Sequence, residues 1–225
     1  MKILVLGASG RTGSIFTRKA LEEGHMVTAY VRNPDKTVEL LGEHQNLMIV
    51  PGSLNDAERL ATISSGQDVM VSILGQKATV REFLSTTFMQ KRLPLIMDSV
   101  VGAGVKHCVI MSAYGVGDTL RSASFFMRVG CKIMMRSIFT DRAKADAMVA
   151  KYQPYISRAH PGLLTNKPGK GGVKVFDVAS VARVPGIPMI AREDVADALL
   201  DIAKNPLNAG TDFLVTIKDV ALRAA

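Results

Sequence analysis

Three glycines stand three residues apart near the start of the 225-residue chain, in Gly7-Ala8-Ser9-Gly10-Arg11-Thr12-Gly13, and a hydroxyl, a phenol and an imidazole stand far downstream at Ser112, Tyr114 and His160. The glycine spacing is what a turn around a diphosphate requires. Gly7 lets the chain turn sharply off a strand, Gly10 lets the backbone approach a pyrophosphate with no Cβ in the way, and Gly13 lets the next helix pack closely on that strand. The free N–H groups at the helix start then face the phosphates, where the helix dipole favours negative charge. Ser9, Arg11 and Thr12 complete the set of expected cofactor contacts within the turn.

The flanking elements support this reading. Residues 2–6 form an apolar strand, residues 14–23 are predicted helical with Ile15, Phe16, Ala20 and Leu21 available for an inner face, and Gly24 stops the helix. Residues 26–31 supply a second strand, completing a βαβ unit of about 30 residues. The position after that strand separates the two dinucleotides. An acidic residue there holds a ribose 2′-hydroxyl, whereas a cation accommodates a 2′-phosphate. Here it is Arg32, with Arg11 in the turn, Lys36 in the next helix and only Asp35 as a nearby acid. NADP(H) is therefore expected over NAD(H). The alternative is that Arg32 is a solvated strand-end charge and both cofactors are accepted.

A chain of this length with 48% hydrophobic residues can bury one good core, so one domain over residues 1–225 is expected. No segment approaches the ~18 uninterrupted apolar residues of a membrane span, and the expectation is a soluble cytoplasmic protein. Cys108 and Cys131 offer neither a disulfide framework nor metal-ligand spacing, and Cys108 reads as a small buried hydrophobe. The net charge of +8 lies wholly in residues 81–225, which hold twenty basic and twelve acidic residues against eight of each before them. That excess fits either steering of an anionic substrate or a solvated basic surface. Nucleic acid is not favoured, because aromatics are only 5% and tryptophan is absent, which leaves no stacking platform.

Strand and helix alternate through most of the chain, as in a doubly wound parallel sheet. Strands are predicted at 47–50, 68–74, 107–112, 155–159 and 211–216, and helices at 55–63, 81–104, 140–151 and 193–204. Pro94 should kink or interrupt the second of these helices. Residues 160–192 carry too many prolines and glycines for a core element. With residues 113–140 they are expected to cover the substrate, forming a small appendage on a Rossmann-type α/β fold. Ligands in such sheets bind outside the carboxyl ends of the strands.

The chain is similar to the extended and atypical short-chain dehydrogenase/reductase group, and more narrowly resembles the NAD(P)H-binding proteins like flavin reductase and biliverdin-IXβ reductase. The resemblance rests on the glycine turn together with Val31-Arg32-Asn33-Pro34, Gly52-Ser53-Leu54-Asn55-Asp56, Ser72-Ile73-Leu74-Gly75, Ser112-Ala113-Tyr114-Gly115-Val116-Gly117-Asp118, His160-Pro161-Gly162 and Arg192-Glu193-Asp194-Val195-Ala196. It implies adenine contacts from Ser53 and Leu54, ribose and nicotinamide-side contacts from Leu74 and Gly75, and nicotinamide contacts from Ser112 and the backbone around Pro161. Ser53 replaces the family's usual Asp. His160 replaces a common Arg, and is either a proton donor or a structural histidine at a strand end. A monomer is expected by the same resemblance.

The Tyr-x-x-x-Lys pair of ordinary short-chain dehydrogenases is missing, since the residues four after Tyr30, Tyr114, Tyr152 and Tyr155 are Pro34, Asp118, Ile156 and Ala159. The remaining chemistry is hydride transfer to a flat conjugated, aromatic small molecule such as a flavin, quinone or tetrapyrrole, with Ser112 positioning the nicotinamide or bonding the acceptor and Tyr114 or His160 as donors. Phe125, Phe126, Met127, Met134 and Met135 read either as an apolar wall over the substrate or as helix core. The missing pair also leaves open a non-catalytic NADP(H) sensor of NmrA-like type, or a tailoring reductase or isomerase for one metabolite.

Overall fold

The computed structural model describes residues 1–75 and 86–223, apart from the side chains at 126 and 131–134. Strands β1 (Lys2–Leu6), β2 (Met26–Val31), β3 (Leu47–Pro51), β4 (Val69–Ser72), β5 (Cys108–Met111) and β6 (Ile156–Pro161) alternate with helices α1 (Arg11–Glu22), α2 (Pro34–Leu41), α3 (Ala57–Ser64), α4 (Phe88–Gly102), α5 (Phe125–Met134) and α6 (Arg136–Met148). After β6 come the short strands β7 (Leu163–Thr165), β8 (Lys174–Asp177), β9 (Val181–Arg183) and β10 (Met189–Ala191), helix α7 (Arg192–Lys204), β11 (Asp212–Thr216) and β12 (Ala221–Leu222). The main sheet runs β3-β2-β1-β4-β5-β6-β11-β8, parallel throughout except where β8 pairs antiparallel with β11. Strand order reverses between β1 and β4. The glycine turn emerges at that switch point, where an open parallel sheet leaves a crevice for a ligand.

Both faces of the sheet are covered, which is why its central strands are apolar without interruption. On one face Ile3 and Val5 pack with Phe16 and Ala20 of α1 and with Val195, Leu199 and Ile202 of α7. On the other, Leu4, Leu6, Met70 and Cys108 pack with Leu60 of α3, Leu93 and Met97 of α4, and Ala145 of α6. Burial pushes the Cys108 thiol up to about 12, so it behaves as the expected inert hydrophobe.

Several expectations are corrected. Helix α1 begins at Arg11 rather than residue 14, with Gly10 as its N-cap, so Arg11, Thr12 and Gly13 form its first turn. Helix α4 runs through Pro94 without interruption. Proline in a helix interior costs about 3 kcal/mol, whereas each buried side chain of this size contributes roughly 1.5–3 kcal/mol. Met89, Leu93, Ile96, Met97 and Val100 are all buried along α4, so packing prevails. Residues 81–85 of the predicted helix lie outside the described residues. The helix predicted at 140–151 starts earlier, at Arg136, behind the separate α5. The breaker-rich stretch between β6 and α7 contains four short strands, one of which extends the main sheet.

Candidate functional site

The first turn of α1 is shaped for a phosphate. Gly7 has φ +96°, and a Cβ there would meet the Ile73 carbonyl oxygen at 2.8 Å. A Cβ at Gly13 would lie 2.0 Å from the Gly7 carbonyl oxygen. The turn is closed by Gly10 N–H donating to the Gly7 carbonyl at 3.0 Å, and no side chain caps the helix. The orphan N–H groups of a helix start need an acceptor, and an anion supplies one. A cavity of about 750 Å³ opens beside this turn, lined in part by Ser9, Gly10, Arg11, Lys36, Lys167 and Arg192. These residues fit the diphosphate of a dinucleotide.

At the adenosine end, Arg32 follows β2 and is exposed, as are Arg11 and Lys36. Asn33 caps α2 by accepting from Lys36 N–H at 3.1 Å, which fixes where the Lys36 side chain leaves the backbone. The Ser53 carbonyl accepts from the buried Tyr30 hydroxyl at 3.0 Å, while the Ser53 hydroxyl accepts from Asn55 N–H at 3.2 Å. Ser53 itself stays exposed and Leu54 half-buried on the loop after β3.

At the carboxyl ends of β4, β5 and β6 the structure gathers Leu74, Gly75, Ser112, His160 and Pro161. The register carries Ser112 and His160 onto one face, because Ile110 pairs with Arg158 two residues earlier on each strand. Ser112 is only 5% exposed and His160 only 3%, yet neither the Ser112 Oγ nor the His160 Nε2 has a hydrogen-bond partner. The other ring nitrogen of His160, Nδ1, lies 3.3 Å from the Ala113 carbonyl. His160 Nε2 lies 3.6 Å from Asp212 Oδ2, beyond hydrogen-bond length. Burial works to raise the Asp212 pKa, but His160 and Arg158 beside it bring it below the usual carboxylate range. A second cavity of about 260 Å³ reaches His160, Arg158, Asp146 and Asp212. The Pro161 carbonyl is occupied by Tyr114 N–H at 2.8 Å.

Tyr114 is placed elsewhere. It lies buried in a cluster with Ala123, Val181, Val184 and Leu214, with its hydroxyl 3.2 Å from the Ser122 hydroxyl. The residues read as an apolar wall divide. Phe125 is 73% exposed, whereas Met127 packs against the Tyr114 cluster and Met135 is half-buried. Phe126 and Met134 lie outside the described side chains. Ser124 Oγ donates to the Gly186 carbonyl at 2.9 Å, which sets the start of α5 against the segment leading to β10. That segment exposes Ile187 and Met189, and Met189 pairs with Leu163, itself 56% exposed.

Three further groups stand beside these residues. Arg142 on α6 donates from Nη1 to the Met111 carbonyl and from Nη2 to the Leu74 carbonyl, both at 2.9 Å. Burial lowers its pKa, with Asp146 and Asp141 opposing the shift. Its neighbour Asp141 accepts from the N–H groups of Met89 and Gln90, at 2.8 and 3.1 Å, and so caps α4. Arg192, at the start of α7, donates from Nε to Asn166 Oδ1 at 2.9 Å and approaches Thr12 Oγ1 at 3.4 Å. Only Arg192 carried a signal, as part of the quoted Arg192-Glu193-Asp194-Val195-Ala196 motif.

A parallel sheet reversing its order above a three-glycine turn defines a Rossmann-type dinucleotide-binding protein. The chain belongs to the NAD(P)H-binding family, whose model matches residues 7–206. It is 31% identical over 100 residues to the probable pinoresinol-lariciresinol reductase 3 of Arabidopsis thaliana, an alignment spanning 41% of this chain and a third (33%) of that protein. Among solved structures it resembles ChuY, an anaerobillin reductase from Escherichia coli O157:H7, with a TM-score of 0.72 and 19% identity over 100% of both chains. It also resembles a wide-type short-chain dehydrogenase/reductase from Veillonella parvula in complex with NADP, with a TM-score of 0.76 and 15% identity over 96% of this chain and 94% of that one. These structural likenesses establish the fold. Among the described residues no helix is long and apolar enough to cross a membrane.

Proposed function

We propose that the protein is an NADPH-dependent oxidoreductase that reduces a flat conjugated acceptor. The observation that carries this reading lies about one helix beyond Ser112, where an ordinary short-chain dehydrogenase would hold its tyrosine and lysine and where Ser124-Phe125-Phe126-Met127-Arg128-Val129 supplies neither. On the next helix, α6, Arg142 is engaged by the Met111 and Leu74 carbonyls, and Asp141 by the Met89 and Gln90 N–H groups and the Gln90 side chain. An acceptor that delocalises the incoming electron pair and takes its proton from solvent suits a site without that pair.

The bound nicotinamide would supply the hydride, so that NADPH, acceptor and one proton give NADP⁺ and reduced acceptor. The chain's part is to bind, orient and exclude water. The first turn of α1 holds the diphosphate, and Arg32 and Lys36 favour a 2′-phosphate. Ser112 Oγ, buried and unpaired, orients the carboxamide or an acceptor oxygen, and His160 Nε2, also buried and without a hydrogen-bond partner, is the group to hold a proton there. The exposed Phe125, Leu163, Ile187 and Met189 offer apolar surface for the face of a planar ring. Two proteins resembling this chain are reductases by name, which accords with the same chemistry.

Steady-state oxidation of NADPH and of NADH by purified protein, with FMN, a quinone and biliverdin as acceptors, tests the proposal. Turnover with any of them, reduced in Ser112→Ala while NADPH affinity is kept, supports it. Tight NADPH binding with no turnover across the panel overturns it in favour of a sensor.

A further inference from the structure

The start of α7 brings a cation from the C-terminal half of the chain to the glycine turn. Arg192 is half-buried and held by Asn166, and its guanidinium stands 3.4 Å from the hydroxyl of Thr12, a residue of α1's first turn. The loop carrying Asn166 is itself anchored. Glu193 accepts from Gly169 N–H at 2.8 Å, and the buried Asp194 accepts from the N–H groups of Lys170 and Gly171 at 3.2 and 3.0 Å. Both acids nearest Arg192 in sequence are therefore engaged by backbone. Burial lowers the Arg192 pKa, and the neighbouring Arg11 lowers it further. Two guanidinium groups facing one cavity, whose one acidic lining residue, Glu193, is held by the Gly169 N–H, repel each other, and an anion between them relieves that cost.

We propose that Arg192 is a ligand of the dinucleotide pyrophosphate, acting with the N–H groups of α1's first turn. The inference rests on the family's cofactor and is independent of the acceptor. It commits to the pyrophosphate because Arg192 meets Thr12 inside that turn, while the cations placed for a 2′-phosphate, Arg32 and Lys36, belong to the end of β2 and the start of α2. Arg192 would thus couple cofactor binding to the 166–171 loop, which covers the same cavity through Asn166, Lys167 and Pro168.

The test is a set of dissociation constants for NADPH, NADH and adenosine 2′-phosphate, measured by calorimetry on wild type, Arg192→Met and Arg192→Lys, each checked for native melting. Arg192→Met should weaken NADPH and NADH alike, by about tenfold, the scale of one lost charge-assisted contact. Adenosine 2′-phosphate, which lacks a pyrophosphate, should bind as before. Arg192→Lys should recover part of the loss. A loss confined to NADPH and adenosine 2′-phosphate would overturn the assignment and place Arg192 on the 2′-phosphate. Unchanged constants in natively folded Arg192→Met would reduce it to a structural brace. If wild type bound neither dinucleotide, the cofactor reading itself would fall, and this inference with it.

Discussion

The guanidinium of Arg142 donates to the Met111 carbonyl at 2.9 Å, one peptide before Ser112, while its second branch takes the Leu74 carbonyl. A single side chain on α6 therefore sets the spacing between the ends of β4 and β5. These are the two loops expected to hold the nicotinamide and its ribose.

Arg142→Met keeps the apolar stem and leaves both carbonyls without their donor. At about 1–3 kcal/mol for each unsatisfied group, and a few degrees per kcal/mol for a chain of this size, melting should fall by roughly 5–15 °C. Because misplacement of about 1 Å can cost two orders of magnitude in rate, kcat should drop by at least about tenfold while the NADPH dissociation constant stays within about threefold. Arg142→Lys should recover stability better than rate, since an ammonium lacks the fork that joins two loops. Equal losses in binding and turnover would show that Arg142 supports only the fold.

Gly13→Ala and Gly10→Ala should separate sharply. The first puts a Cβ 2.0 Å from the Gly7 carbonyl oxygen, and the second puts one 3.1 Å from the same atom. Gly13→Ala should yield little folded protein. Gly10→Ala should fold and bind NADPH about tenfold more weakly, equivalent to ~1.4 kcal/mol. Expression, circular dichroism and NADPH titration distinguish them, and equal behaviour of the two would refute the steric account.

Arg32→Asp should reduce the preference for NADPH over NADH by about tenfold or more, because the substitution replaces attraction for a 2′-phosphate with repulsion and offers an acceptor to a ribose hydroxyl. Lys36→Met should act in the same direction, less strongly. The ratio of the two dissociation constants is the measurement. An unchanged ratio in Arg32→Asp would remove the basis for expecting NADP(H).

Acid should destabilise the fold through two histidines, the buried His107 and the half-buried His25. His107 is buried just before β5 with Nε2 2.9 Å from Ser157 Oγ, and burial lowers its pKa below the ordinary 6.5, a backbone interaction at Ala203 only partly opposing this. His25 shifts the same way, through burial and then through the nearby N-terminal ammonium. A depressed folded pKa means that the unfolded chain binds more protons in the window below about 6.5. The stabilisation is complete above that pH and is lost as pH falls through the folded value. Melting temperature should accordingly decline from pH 7 toward 5, and His107→Gln should flatten the decline. A mutant slope as steep as that of wild type would sink the assignment.

The dinucleotide half of the molecule was legible because its signals are local. The apolar runs that became β1 to β6 announce parallel strands, and the three glycines report a turn whose spacing is read within seven residues. Residues 160–192 were read as too rich in prolines and glycines for a core element, yet β8 joins the main sheet, because those residues punctuate strands only three or four residues long. β8 earns its place by pairing with β11, some forty residues away. Pro94 does not interrupt α4 for a related reason, since the buried side chains that hold the helix together find their partners on other elements.

Sequence by itself determined the alternation of strand and helix, the glycine turn, and the cation after β2, because each depends on backbone sterics, periodicity or neighbours a few residues apart. Tertiary structure alone decided that Tyr114 packs away from Ser112, that His160 shares the face of Ser112, that Arg142 ties β4 to β5, and that Arg192 reaches Thr12. The last three relationships join residues from 31 to 180 positions apart in the chain. No local pattern encodes them, because they exist only once the sheet has set the order and register of its strands and the helices have packed upon it.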